Sequence, residues 1–238
     1  MFLNCSLLTT LDLKNLNTSN VTSMLLMFDE CKSLDTLYIS NFDTSNVIDI
    51  TGMFRNCKSL KKLDLSHFAT SNATDMSGMF SGCENLESLN ISNFNTSHVT
   101  YMSEMFNGCK NLKSLDLSNF DTSNVTYMAY LFKGCENLAS LNINNFNTEK
   151  LEGTWSMFED CHSLEELDLG SFTFNFTEYY NYSNMFKNIG IKASNKPIPI
   201  KVTEEGYNFL IKGYKTTGLE AYYIGTSAKF VRPDGSDW

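Results

Sequence analysis

Positions 105–128 read M-F-N-G-C-K-N-L-K-S-L-D-L-S-N-F-D-T-S-N-V-T-Y-M, and this stretch decides the fold because the chain repeats its pattern. The seven cysteines follow one another at intervals of 26 residues, and none lies outside this column. They are Cys5, Cys31, Cys57, Cys83, Cys109, Cys135 and Cys161. Self-similarity at a fixed period of this size is the sequence signature of a solenoid, in which each repeat stacks on its neighbours.

Two hydrophobic periods coexist in each repeat. From Leu60 to Phe68 the pattern is L-x-x-L-x-L-x-x-F, the leucine-rich-repeat pattern, and its alternation fits a short strand with one buried face. From Val99 to Cys109 the apolar residues are three and four positions apart, which favours a short helix. The intervening Asp-Thr-Ser-Asn suits a turn that caps that helix. We therefore expect a parallel strand and a short helix in every repeat.

The array comprises seven clear repeats and an eighth, diverged one. In the eighth, Met185 and Phe186 are displaced by two residues, and Ile189 stands where a cysteine is due. With strands about 4.8 Å apart, seven repeats would form a rod about 35 Å long. We place this solenoid at residues 1–191.

Residues 192–238 break the period and predict a small α+β cap over the last repeat. We expect a strand at 197–202, a helix that starts near Thr203 and ends near Gly213, and further strands at 221–225 and 229–231. The predicted fold class is therefore an α/β leucine-rich-repeat solenoid with a C-terminal α+β cap.

Composition excludes several classes of partner. The formal net charge of -9 argues against nucleic acid, because a phosphate backbone needs a concentrated basic surface. No apolar run reaches the roughly 18 to 20 residues of a membrane span, and residues 1–20 lack the pattern of a secretory signal. Because Met1 falls within a repeat, we expect the chain to be a fragment or a processed form.

Cysteine, methionine and histidine could each indicate chemistry, but their positions favour structural roles. An odd number of cysteines in one column favours buried free thiols over disulfides. The sequence also lacks Cys or His residues two to four positions apart, the spacing typical of metal ligands. The methionines occupy the apolar slots of the predicted helix. His67, His98 and His162 occupy different slots of separate repeats, so we do not expect a catalytic triad or ligand set. No cofactor is expected.

One polar column remains as a candidate binding site. It occupies the slot between the two strand leucines, which points away from the core, and we call it the strand-face column. Its members are Asp12, Tyr38, Asp64, Asn90, Asp116, Asn142 and Asp168. Asn93 and Asn119 lie in a neighbouring column. Such a line of oxygens could bind a protein or a glycan, or weakly hold Ca²⁺; it could equally be a solvated surface that prevents aggregation.

The consensus M-F-x-x-C-x-x-L-x-x-L-D-L-S-N-F-D-T-S-N-V-T-x-M resembles the repeat of BspA-like leucine-rich surface proteins and related lipoproteins. The resemblance covers residues 1–191, and the tail with Arg232, Pro233 and Trp238 is similar to the segment that follows such repeats. It implies a cell-surface or secreted protein that binds molecules of a host or a neighbouring cell, and it implies no reaction.

Three classes of function are compatible with these observations. The first is a non-catalytic recognition or adhesion module whose strand face binds a protein or glycan. The second is a structural spacer, or a protein that assembles into a surface layer or capsid. An enzyme comes third, because no column supplies a nucleophile, a base and oxyanion donors together.

Overall fold

The computed structural model describes residues 1–174, 183–217 and 227–238. Over the repeats the chain winds into stacked rungs in which residues 26 positions apart lie side by side. Each rung has one short strand at the same position. The strands of the repeats are β1 (Thr10–Asp12), β2 (Thr36–Tyr38), β3 (Lys62–Asp64), β4 (Ser88–Asn90), β5 (Ser114–Asp116), β6 (Ser140–Asn142) and β7 (Leu167–Asp168). The predicted solenoid with parallel strands is confirmed.

The strands pair in parallel, two by two: β1 with β2, β3 with β4, and β5 with β6. Leu63 faces Leu89 and Asp64 faces Asn90, so the register equals the repeat length. Leu63 is buried whereas its two strand neighbours are exposed. This alternation follows from the two-residue period of a strand.

The predicted short helix in each repeat is wrong: the described repeats contain turns there and no α-helix. Two residues in each rung, four positions apart, have a left-handed backbone, as in Gly52 with φ 57° and Asn56 with φ 58°. A right-handed helix requires negative φ throughout. Instead, four-residue turns close the segment, with the Met53 N–H donating to the Ile50 carbonyl at 3.2 Å. Consecutive turns place apolar side chains three and four positions apart, as a helix would.

The turn segment forms a second set of bonds between rungs. The Phe28 N–H donates to the Met53 carbonyl, and the Phe54 N–H to the Met79 carbonyl, both at 2.9 Å. Parallel bridges link one residue of each of these rungs to the next; the residue is exposed or half-buried from Ser23 to Tyr127 and buried at Gly153. These residues, which we call the second ladder, are Ser23, Asp49, Asp75, Tyr101, Tyr127 and Gly153. The rungs from Ser23 to Tyr127 therefore present two outward-facing columns, the strand-face column and the second ladder.

Aromatic and sulfur-containing side chains fill the interior between these columns. Phenylalanines of one slot form a continuous stack from Phe2 to Phe186, with neighbouring ring centroids 5.5 to 6.2 Å apart. The predicted burial of the methionines is confirmed for Met24, Met27, Met53, Met76, Met79, Met102, Met105, Met128 and Met157. Because similar side chains lie above one another, every rung buries the faces of its neighbours.

All seven cysteines are free, and six of them are buried. Each buried thiol donates to the phenylalanine carbonyl of the preceding rung at 3.1 to 3.2 Å, as Cys83 does to Phe54. The prediction of buried free thiols is confirmed for these six. Cys5 is exposed, which corrects that prediction; unlike the other six, its thiol is not packed between two of the rungs that residues 1–174 form.

The diverged eighth repeat continues the stack. Phe186 stacks on Phe158 at 6.2 Å, and Met185 and Ile189 are fully buried. The eighth rung therefore keeps the interior packing of the others despite its two extra residues.

Beyond the repeats the structure contains β8 (Ile198–Lys201), α1 (Glu204–Thr217) and β9 (Ala228–Val231). Strand β8 pairs in parallel with β7 and with β9. The predicted strands at 197–202 and 229–231 are confirmed, and the predicted strand at 221–225 lies outside the described residues. The division into domains at residues 191 and 192 stays a prediction.

Helix α1 begins where the sequence predicts, because the Thr203 hydroxyl accepts a hydrogen bond from the Gly206 N–H at 3.1 Å. Its predicted end near Gly213 is wrong, since the helix continues to Thr217. A glycine inside a helix costs only about 1 kcal/mol, and packing of the fully buried Leu210 offsets that cost. In the described part of the chain, no helix combines the length and apolar character needed to cross a membrane.

Candidate binding surface on the strand face

The strands place the strand-face column as predicted, at the last residue of each strand from β1 to β7. Pairing brings its members together as Cα partners: Asp12 with Tyr38, Asp64 with Asn90, and Asp116 with Asn142. The column is exposed from Asp12 to Asp116 and half-buried at Asn142 and Asp168. Polar side chains thus line one side of the solenoid without interruption.

Each carboxylate of the column also closes the turn that follows its strand. The Oδ1 atom of Asp64 accepts the Ser66 N–H at 3.0 Å, and Asp116 accepts the Ser118 N–H at the same distance. Backbone and hydroxyl hydrogen bonds from these serines hold the pKa of both carboxyl groups below its usual value. Asp64 and Asp116 therefore stay ionised at neutral pH, and one oxygen of each of these two carboxylates has a structural partner.

The asparagines of the column serve the same turn with an amide oxygen. Asn90 Oδ1 accepts the Ser92 N–H at 3.3 Å, and Asn142 Oδ1 accepts the Asn144 N–H at 3.5 Å. Asn142 also donates to Asp116 Oδ1 at 3.0 Å. Since aspartate and asparagine satisfy the same turn, the charge at this slot is free to vary between rungs.

Asn93 and Asn119 hold neighbouring rungs together. The Asn93 amide donates to the Ser66 carbonyl at 2.6 Å, and the Asn119 amide donates to the Phe94 carbonyl at 2.9 Å. Because their donors are committed to the backbone of the preceding rung, these two residues would offer a ligand mainly their amide oxygens.

Tyr38 is the one aromatic member of the column, and 43% of its surface is exposed. The Lys14 ammonium lies 4.1 Å from the centre of its ring, a cation–π contact. At the other end of the column, Asp168 pairs in register with Lys201 of β8. Lys201 was not predicted from the sequence, because it lies after the repeats and its register with β7 is a tertiary feature.

Metal-ligating side chains are dispersed over residues 1–174, 183–217 and 227–238. No group of three His, Cys, Asp or Glu side chains lies close enough to hold a metal ion in that part of the chain. His67 and His98 contact backbone carbonyls of separate rungs at 3.0 and 2.9 Å. His162 lies beside Glu136 and Asp160, at 3.7 and 3.6 Å. The three histidines therefore do not converge.

The second ladder is a surface that was not predicted from the sequence. Its residues share one slot of the 26-residue period, so the period could have revealed them. The spacing of three and four predicts a helix for this segment, and in a helix the residues beside an apolar position do not form a straight outward column.

The chain matches one family model, and solved structures resemble it at low sequence identity. The family model described as "Mycoplasma protein of unknown function, DUF285" matches residues 1–90 and 75–198. No curated protein matches the chain by sequence. A chain of the crystal structure of the TLR13-ssRNA13 complex superposes with a TM-score of 0.37 and 15% identity, covering 90% of this chain. The present chain spans only 36% of that protein's length.

Proposed function

Starting from the membership of this chain in the DUF285 family, whose function is unknown, we propose that it is a non-catalytic recognition or adhesion module. Its strand face binds a protein or a glycan of a host or neighbouring cell, and the protein acts at the cell surface or after secretion. The observation that carries this proposal is the uninterrupted polar column on an otherwise rigid, fully packed stack of rungs.

The packing supports binding rather than reaction. The cysteines and methionines that could carry chemistry lie in the core, apart from Cys5 at the first rung and Met1, which is also exposed. The strand face offers acceptors about 4.8 Å apart on short strands, with the aromatic Tyr38 among them. Regularly spaced polar groups on a rigid surface lose little conformational freedom on binding, which favours recognition of an extended ligand.

The test uses the full chain on a glycan array and on an array of cell-surface ectodomains. The informative variant is Tyr38→Asn/Asp64→Asn/Asp116→Asn, because asparagine already occupies this slot in the rungs of β4 and β6 and keeps the turn hydrogen bond. We expect the variant to fold like the original chain and to bind its ligand at least tenfold more weakly, about the contribution of one central contact.

A matched control removes two negative charges at positions outside the strand-face column. Glu104→Gln/Glu152→Gln changes exposed residues that lie away from the strand face, and it should leave ligand binding intact. The proposal fails if the chain binds nothing on either array, or if the strand-face variant binds as well as the original.

One observation favours the alternative of a spacer or assembly protein. The column oxygens of Asp64 and Asp116 already support turns, so their presence has a structural explanation without a ligand. A spacer would keep its stability and its adhesion to cells in the triple variant. Adhesion of cells to surfaces coated with each form of the chain distinguishes the two functions.

A further inference from the structure

The second ladder changes chemical character along its length. Its first half carries Asp49 and Asp75, and its second half carries Tyr101 and Tyr127. Glu152 adjoins the tyrosines, because the Tyr127 hydroxyl donates to its carboxylate. Two carboxylates and two aromatic rings therefore lie on the second ladder, with the carboxylate of Glu152 beside it, on a different part of each rung from the strand face.

The aromatic half is ordered and accessible. The rings of Tyr101 and Tyr127 are stacked in parallel with centroids 5.8 Å apart. Tyr101 remains 46% exposed, although it is a large apolar ring. The hydrogen bond to Glu152 fixes Tyr127, and it raises the pKa of that phenol. Two rings held in one orientation form a preorganised platform for a ligand.

In the acidic half, each aspartate retains a carboxylate oxygen that no turn hydrogen bond uses. Asp49 Oδ1 accepts the Thr51 N–H at 3.0 Å, and Asp75 Oδ1 accepts the Ser77 N–H at 2.7 Å. These turns use one oxygen of each carboxylate, so the second oxygen is available to a ligand.

Charge balance distinguishes these carboxylates from the acids nearby. Asp29, Glu84 and Glu159 are each paired with an arginine or with lysines of neighbouring rungs. In the part of the chain that the structure describes, no ion pair includes Asp49, Asp75 or Glu152. Among the described residues, their negative charge is therefore not balanced by an ion pair.

We propose that the second ladder from Asp49 to Tyr127, with Glu152, is a docking surface for an extended, arginine-containing peptide segment of a partner protein. Guanidinium groups pair with carboxylates through two parallel hydrogen bonds and also lie flat on tyrosine rings. Three rung spacings of about 4.8 Å give a surface about 15 Å long, which an extended peptide covers with four to five residues at about 3.3 Å each. This surface is separate from the strand face and does not depend on the function proposed for it.

The test measures binding of a fluorescein-labelled heptapeptide of alternating glycine and arginine to the full chain by fluorescence anisotropy. A peptide with glutamine in place of arginine serves as the reference. We expect the arginine peptide to bind more tightly than the reference. Tyr101→Ser should weaken its binding about two- to fivefold, as expected for loss of an exposed cation–π contact, whereas Tyr101→Phe, which keeps the ring, should not.

The decisive comparison separates a local site from the general attraction of an acidic protein. Asp49→Asn/Asp75→Asn and the strand-face control Asp64→Asn/Asp116→Asn each remove two charges and retain the turn acceptor. The proposal requires that only the first pair weaken binding of the arginine peptide. Equal weakening by both pairs, no preference over the glutamine peptide, or equal loss in Tyr101→Phe and Tyr101→Ser overturns it. Binding of a glycan to this column instead of the peptide would overturn it as well.

Discussion

Because the rungs stack at a fixed period, each charged residue lies next to the residue that holds the equivalent position in the next rung. Like charges in a slot would therefore repel along the whole array, and opposite charges can pair. The slot of Glu159 illustrates this, because the carboxylate lies between Lys133 and Lys187, with N–O distances of 2.8 and 2.7 Å. Two rungs are thereby bound to the one between them through a single, largely buried carboxylate.

Glu159 should make stability depend on acidic pH. Burial raises its pKa, but hydrogen bonds from Lys133, Lys187 and Ser156 outweigh burial and lower the pKa to about 2. Because the folded pKa lies below the usual value of 4.5, its stabilisation is complete above pH 4.5 and is lost as the pH falls toward 2. The shift corresponds to about 3 kcal/mol at neutral pH.

Urea denaturation between pH 2 and pH 7 measures this contribution. Glu159→Gln should lower the free energy of unfolding by about 2 to 3 kcal/mol at pH 7 and flatten its decrease below pH 4.5. Glu87→Gln, at an exposed position, is the control and should change neither quantity by more than about 0.5 kcal/mol. If the free energy of unfolding of Glu159→Gln fell with decreasing pH as steeply as that of the original chain, other carboxylates would be responsible for the loss of stability in acid.

At the level of the repeated elements, buried threonines join the turns of successive rungs. The hydroxyl of Thr122 donates to the Asn147 carbonyl and accepts the Asn147 N–H, both at 2.8 Å. The members of this column are Thr18, Thr44, Thr70, Thr96, Thr122 and Thr148, and all are buried. One hydroxyl thus satisfies two backbone groups of the next rung, which would otherwise be buried without partners.

Replacing Thr122 by valine should therefore be costly although the shape of the side chain is kept. Thr122→Val leaves the N–H and carbonyl of Asn147 without that partner, and we expect a loss of about 1 to 3 kcal/mol in the free energy of unfolding. Thr74→Val, which makes the same change at an exposed position, should have little effect. Equal losses at both positions would mean that the hydroxyl of Thr122 contributes nothing specific.

The same elements show where sequence patterns lead correctly and where they mislead. The alternation around Leu63 predicted a strand, and strand and pattern agree because both have a period of two. The spacing from Val99 to Cys109 predicted a helix, but turns with positive φ at Glu104 and Gly108 give the same spacing. Periodicity predicts which side chains point inward. It does not predict whether a backbone N–H donates its hydrogen bond within its own rung or to a carbonyl of the next rung.

For the molecule as a whole, burial of the thiols is a property of the stack. No thiol of the six inner rungs can be reached from solvent unless neighbouring rungs separate. Burial also keeps these thiols protonated, since it raises the pKa of Cys83 and Cys135 to about 12. Reactivity of the cysteines is therefore a measure of how far the array opens.

Labelling of the native chain with a chromophoric disulfide reagent should modify one thiol rapidly, that of Cys5, and the other six only after denaturation. Cys5→Ser should abolish the rapid phase and leave the total in urea at six. Rapid modification of several thiols in the native chain would contradict the stacked arrangement, because each inner cysteine lies between two rungs.

The period of 26 residues was enough to establish a solenoid, the inward slots of Phe, Cys, Met and Leu, and the outward strand-face column, since a strict repeat allows one stacking of equivalent positions. Folding in three dimensions added the second ladder, the carboxylate of Glu159 between two lysines, and the register of Asp168 with Lys201. These depend on which rung meets which and on the sign of φ at single residues such as Asn56. The physical reason is that repeated spacing specifies equivalence between positions, whereas hydrogen bonds and ion pairs between rungs require actual distances.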